Sequence, residues 1–173
     1  MIKYLFYFLL FFFLAEVETV FFRTLPTPFL FTPLVFSVGL YLYQHRASAV
    51  GLWWLLAFGV FLDVWHIGVL PGETIFYVLT SVLVFVLSWR FFTNRSFYGV
   101  NMCAFLSLLA LQIMHGIGFF FLAWPEPENF PWLNFFWSIF WQEVFLLLLV
   151  SFLFFFSDRL RKFFRRFLIT SST

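Results

Sequence analysis

Residues 59–80 read GVFLDVWHIGVLPGETIFYVLT and set Asp63 and His66 inside a run of Phe, Leu, Val, Ile and Trp. What an acid does among such neighbours depends on the solvent around the chain. The chain is 64% hydrophobic and 10% charged, against roughly 45–50% and about 25% for ordinary soluble domains. Thirty-three phenylalanines among 173 residues cannot all be hidden in one small globule, and too few polar side chains remain to cover a water-facing surface. The solvent is therefore lipid, and the chain reads as an all-α polytopic membrane protein. In that medium Asp63 must turn toward other helices or water, because an ionised acid at the centre of a span costs about 2.5–3.5 kcal/mol.

A span needs about 20 apolar residues, and six candidates emerge: 3–22, 28–44, 48–70, 74–92, 97–123 and 131–157. Breaks rich in Pro, Gly and charge (RTLPTP, QHRAS, PGE, FTNRS and WPEPENFP) separate them. The opening stretch lacks a small-x-small cleavage pattern and reads as a retained helix. Residues 1–157 form a single bundle, with no internal repeat evident, and 158–173 a basic tail. With both ends in the cytoplasm, nine of the ten basic residues lie inside and only Arg23 outside, as the positive-inside rule requires. If the short second stretch, interrupted by Pro33, were re-entrant with the N-terminus outside, the balance would again be nine to one. The six-span reading rests on 28–44 being long enough to cross. Tyr41, Tyr43, Trp53, Trp54, Trp89 and Tyr98 fall near the inner boundary, and Trp124 and Trp132 near the outer.

The net charge of +2 does not point to nucleic acid, since half of the basic residues are Arg159, Arg161, Lys162, Arg165 and Arg166. They follow an apolar run and alternate with Leu160, Phe163, Phe164, Phe167 and Leu168. That pattern fits a basic amphipathic helix on the inner leaflet or a plain topogenic stop signal. Cys103 is the single cysteine, so no disulfide forms within the chain.

Gly59, Asp63 and His66 fall at i, i+4 and i+7, on one helical face, where Gly59 would let a neighbouring backbone approach. Gln112 and His115 share a face of the fifth span. Glu16 and Glu18 cannot share one, so one of them is expected at the outer interface. Asn134, Ser138 and Gln142 form a stripe on the sixth, with Glu143 beside it. Together they are expected to make a polar interior biased toward the outer leaflet. Three uses are open: interhelical hydrogen bonds, an outward-facing ligand or ion pocket, and a metal site of Asp63, His66 and His115. No His-x-x-x-His or Cys-x-x-Cys spacing supports the last. Neither Gly-x-Ser-x-Gly nor His-Glu-x-x-His is present, so no catalytic residue, cofactor or metal is expected.

The stretch resembles the rod shape-determining MreD family, bacterial inner-membrane proteins in which a G-x-x-x-D span is often followed by a Gly/Pro-rich turn and another apolar helix. Here Gly59 to Asp63 precede Gly68, Pro71 and Gly72, then TIFYVLTSVLVFVLSWR. The similarity extends loosely over residues 28–160, through the basic break at Arg90 to Arg95 and into the amide-bearing face of Asn134 and Gln142. Pro28-Phe29-Leu30 stands where many members read Pro-Asp-Leu, and VLPG replaces PLG, as in a divergent member. The resemblance implies a non-enzymatic scaffold of the bacterial cell-elongation machinery, working with an MreC-like bitopic protein, the actin-like MreB filament and the RodA–transpeptidase pair. It also implies a fold similar to the substrate-binding subunits of energy-coupling-factor vitamin transporters, and hence a rival role in capturing a small ligand.

Overall fold

The computed structural model describes residues 2–65, 72–122 and 131–170, and among these every regular element is helical. Helix α1, Ile2–Glu16, continues as a π-helical turn, Val17–Phe22. A short 3-10 turn, Phe29–Phe31, leads to α2, Leu34–Gln44. Then follow α3, Val50–Trp65, α4, Glu73–Arg90, α5, Phe97–Leu122, and α6, Trp132–Thr170. A helix thus occupies each of the six apolar stretches.

Among the described residues, four segments are long and apolar enough to cross a membrane: Tyr4–Phe22, Glu73–Arg90, Phe97–Phe121 and Trp132–Ser157. Phe29–Gln44 and Val50–Trp65 are apolar but shorter. Pro33, with no N–H to donate, ends the 3-10 stretch and opens α2, so the second element is two short pieces and not one helix. The perimeter is apolar throughout, with Phe13, Ile75, Leu133 and Phe155 each more than half exposed. Water would not tolerate such a surface and lipid requires it, so this is the make-up of a helical membrane protein.

Helices α2, α3, α4, α5 and α6 pack as a closed ring in that order, α2 also touches α5, and α1 lies outside against α2 and α3. The shared core runs through Phe36, Leu40, Phe58, Leu55, Val84, Leu108, Leu111, Leu146 and Val150, all buried. Small polar residues inside the ring satisfy themselves locally. The hydroxyls of Thr19, Ser37, Thr80 and Ser81 each donate to the carbonyl one turn back, on Ala15, Pro33, Phe76 and Tyr77.

Helices α2 and α3 cross backbone against backbone. A Cβ at Gly51 would stand 2.1 Å from the Gly39 carbonyl oxygen and 2.6 Å from the Tyr43 nitrogen. Two backbones cannot meet so closely around any side chain, which is the use that membrane helices make of small residues. Gly51→Ala is therefore expected to destabilise the bundle by about 1–3 kcal/mol, the cost of overpacking. Ile113→Ala, on the half-exposed face of α5, should stay within about 0.5 kcal/mol. Thermal unfolding of the detergent-solubilised protein measures both.

Candidate functional site: carboxylates that cap neighbouring helices

An α-helix begins with four backbone N–H groups that have no partner within it. In water, solvent or a local Ser, Thr or Asp takes them. At the mouth of a membrane bundle another helix must. Helix α4 opens after Gly72, which has no side chain with which to cap, and Asp63 of α3 does so in its place. Its Oδ1 accepts from the Glu73 N–H at 3.0 Å and its Oδ2 from the Thr74 N–H at 2.9 Å, while the Thr74 hydroxyl donates a third hydrogen bond to Oδ2. The carboxylate also faces the positive end of the α4 dipole.

Gly59, one turn below, makes this reach possible. A Cβ there would lie 2.7 Å from Cβ of Tyr77 and 3.1 Å from Cα of Thr74. The absence of a side chain brings the first turn of α4 against α3, and Asp63 then locks it. Hydrogen bonds to a charged acceptor contribute about 1.5–3 kcal/mol each, enough in combination to offset the cost of placing the acid there.

The same device recurs at α2. Glu18, carried on the π-helical turn, accepts from the Val35 N–H at 2.6 Å. The Arg23 guanidinium attracts that carboxylate from the end of the same turn. Glu16 is exposed, so of the two acids the sequence could not separate, Glu18 is the inward one. The wider π turn re-aims a side chain that a plain helix would place elsewhere. Tyr77, buried against Phe36 and Phe58, lies in electrostatic range of both Glu18 and Glu73.

From Asp63 the connection runs on. Glu73 donates its backbone N–H to Asp63, and its side-chain Oε2 pairs with His115 Nε2 at 2.9 Å. The His115 ring meets Phe76 edge-on at 5.1 Å. Next to it, Gly116 leaves room for the Phe135 ring of α6. Helices α3, α4, α5 and α6 are thereby joined at one end. At the other, Tyr41 and Ser157 share a hydroxyl hydrogen bond, and His45 packs on Tyr41 and Phe154.

The remaining expected residues divide. Gln112 is buried, one turn inward from His115. Glu143 is buried with neither oxygen hydrogen-bonded among the described residues, and the Trp141 indole N–H is likewise unpartnered. The stripe of Asn134, Ser138 and Gln142 does not line an interior. Asn134 is exposed, Gln142 half-buried, and Ser138 bonds its own backbone at Phe135. The rotation of α6 turns Glu143 inward in their place. His66, Gly68 and Pro71 lie outside the described residues, whereas Gly72 sits at the start of α4. Helix α6 runs unbroken to Thr170, carrying Arg159, which is exposed, and the backbone of Arg161, Lys162, Arg165 and Arg166. No set of three or more His, Cys, Asp or Glu placed to hold a metal occurs among the described residues.

Chemically, these carboxylates are engaged by backbone donors. Asp63 and Glu18 thereby fix how α3 meets α4 and how the first turn of α2 is held. The sequence carried a signal for the repetition: Glu18 precedes Leu25-Pro26 by the spacing at which Asp63 precedes Leu70-Pro71. No protein-family model, curated protein or solved structure matches the chain.

Asp63→Ala leaves two amides without acceptors and is expected to cost about 1–3 kcal/mol per donor exposed to lipid, with Asp63→Asn milder. A double-mutant cycle with Thr74→Val should return a coupling of about 0.5–3 kcal/mol. Thermal unfolding of the four proteins reads it. Additive losses would mean the two side chains do not act together.

Proposed function

We propose that this chain is a non-enzymatic scaffold of the bacterial inner membrane, crossing it six times with both ends in the cytoplasm and serving the cell-elongation machinery. The observation that carries this reading is the use of Gly59 and Asp63. These two residues bear much of the resemblance to the MreD family, and both act in joining α3 to α4. A motif devoted to internal rigidity suits a protein whose task is to hold partners in fixed relation. The partner surface in this reading is the apolar face of α6, where Leu148, Phe152, Phe155 and Phe156 are exposed. There a single membrane helix of an MreC-like protein would pack, with the RodA–transpeptidase pair beyond it.

The rival reading, a small-ligand subunit of a vitamin-type transporter, draws support from Glu143, a buried acid whose oxygens have no hydrogen-bond partner among the described residues. Affinity purification of the tagged full-length protein from its own membranes separates the two. The scaffold predicts recovery of an MreC-like protein and the transpeptidase complex, lowered several-fold by Phe152→Ser with Phe155→Ser. Recovery instead of a vitamin-like compound, or of a membrane coupling protein with paired ATPases, would contradict it.

A further inference from the structure

At the end of the bundle opposite the caps, a cleft of about 360 Å³ opens between α2, α4 and the connection from α4 to α5. Its walls are Tyr43 and Gln44 at the end of α2, Ser88 and Trp89 in the last turns of α4, and Thr93 and Arg95 beyond them. The cleft is held open by structure. Gln44 donates through Nε2 to the Phe92 carbonyl at 2.6 Å, tying α2 to the α4–α5 connection. Ala47, at the rim, takes a left-handed conformation with φ of 50° and turns the chain away.

The lining is one-sided in its chemistry. Beside the Gln44 amide and the rings of Phe85, Trp89 and Phe92, it offers a guanidinium, a phenol and two hydroxyls able to donate, the Ser88 hydroxyl also meeting Cys103 Sγ at 3.6 Å, and no carboxylate is among the lining residues. Such a set recognises a phosphate. Arg90 is also exposed at this end, yet it lies over the Trp89 ring at 5.9 Å and does not line the cleft.

A second feature selects the source of that phosphate. From the cleft an exposed apolar track descends one face of α4 through Trp89, Phe85, Val82 and Val78, at the helical spacing of a continuous stripe. A phosphate recognised at the head of a lipid-facing apolar track is the head of a phospholipid. Basic pockets between membrane helices are known to take anionic headgroups.

We propose that this cleft binds the headgroup of an anionic phospholipid through Arg95, Tyr43, Ser88 and Thr93, with an acyl chain along the Val78–Trp89 face of α4. The site is independent of the scaffold reading. It anchors the end of the bundle where the α2–α3 and α4–α5 connections meet.

Native mass spectrometry of the full-length protein, titrated with phosphatidylglycerol and phosphatidylethanolamine of identical acyl chains, tests it. The wild-type protein is expected to retain the anionic lipid about fivefold more than the zwitterionic one. Arg95→Ala should bring the ratio close to unity, and Thr93→Trp, which fills the cleft without removing charge, should do the same. Arg90→Ala should leave it unchanged. Inorganic phosphate in large molar excess should not displace the lipid. Equal retention of the two lipids by the wild-type protein, equal losses from Arg90→Ala and Arg95→Ala, or no effect of Thr93→Trp would overturn the proposal. Displacement by phosphate alone would overturn the lipid as its occupant.

Discussion

The hydrogen bonds from the first amides of α4 to the Asp63 carboxylate are the contact on which the rest of this bundle depends. A helix that begins inside or at the rim of a membrane brings unpaired N–H groups into a medium that cannot satisfy them. An acid on a span brings a charge that the same medium resists. Each is costly alone, and pairing them removes both costs at once. Because the acid and the amides belong to different helices, the pairing also fixes how those helices lie. Glu18 and α2 repeat the solution, and Glu73 with His115 carries the connection to α5.

Lipid explains the remaining economy of polar groups. The buried hydroxyls of Thr19, Ser37, Thr80 and Ser81 return to their own helix, and the α2–α3 crossing is closed by Gly39 and Gly51. Between lipid and protein there is little hydrophobic driving force, so close backbone approach and a few strong hydrogen bonds carry the association. Glu143 and the Trp141 indole N–H are exceptions, buried polar groups without a hydrogen-bond partner among the described residues.

Composition alone revealed the solvent, and apolar runs with their Pro- and Gly-rich breaks located the helical stretches, although Pro33 splits the second and α6 runs on past 157 to Thr170. Periodicity also placed Gly59 and Asp63 correctly on a face directed at a neighbour. It could not name the partner, because that partner is backbone and any residues at 73 and 74 would offer the same N–H groups. The choice between Glu16 and Glu18 turned on a π-helical turn, which apolar spacing does not encode. Asn134, Ser138 and Gln142 shared a face as read, but the rotation of α6 against α5 and α2 decides which face is inside. Gly39 and Gly51 are not legible in the sequence, since a lone glycine in an apolar helix looks alike whether or not a backbone lies against it. The repeated Leu-Pro spacing after Glu18 and Asp63 is the one sequence feature that marks the two acids as a pair.

Hydrogen–deuterium exchange at the helix starts tests the capping account most directly. In the wild-type protein the amides of Val35, Glu73 and Thr74 should be protected although they lack partners within their own helices. In Asp63→Ala, protection should be lost at Glu73 and Thr74 and kept at Val35, with the reverse in Glu18→Ala. Unchanged protection at residues 73 and 74 without the Asp63 carboxylate would contradict the claim that one helix caps the next.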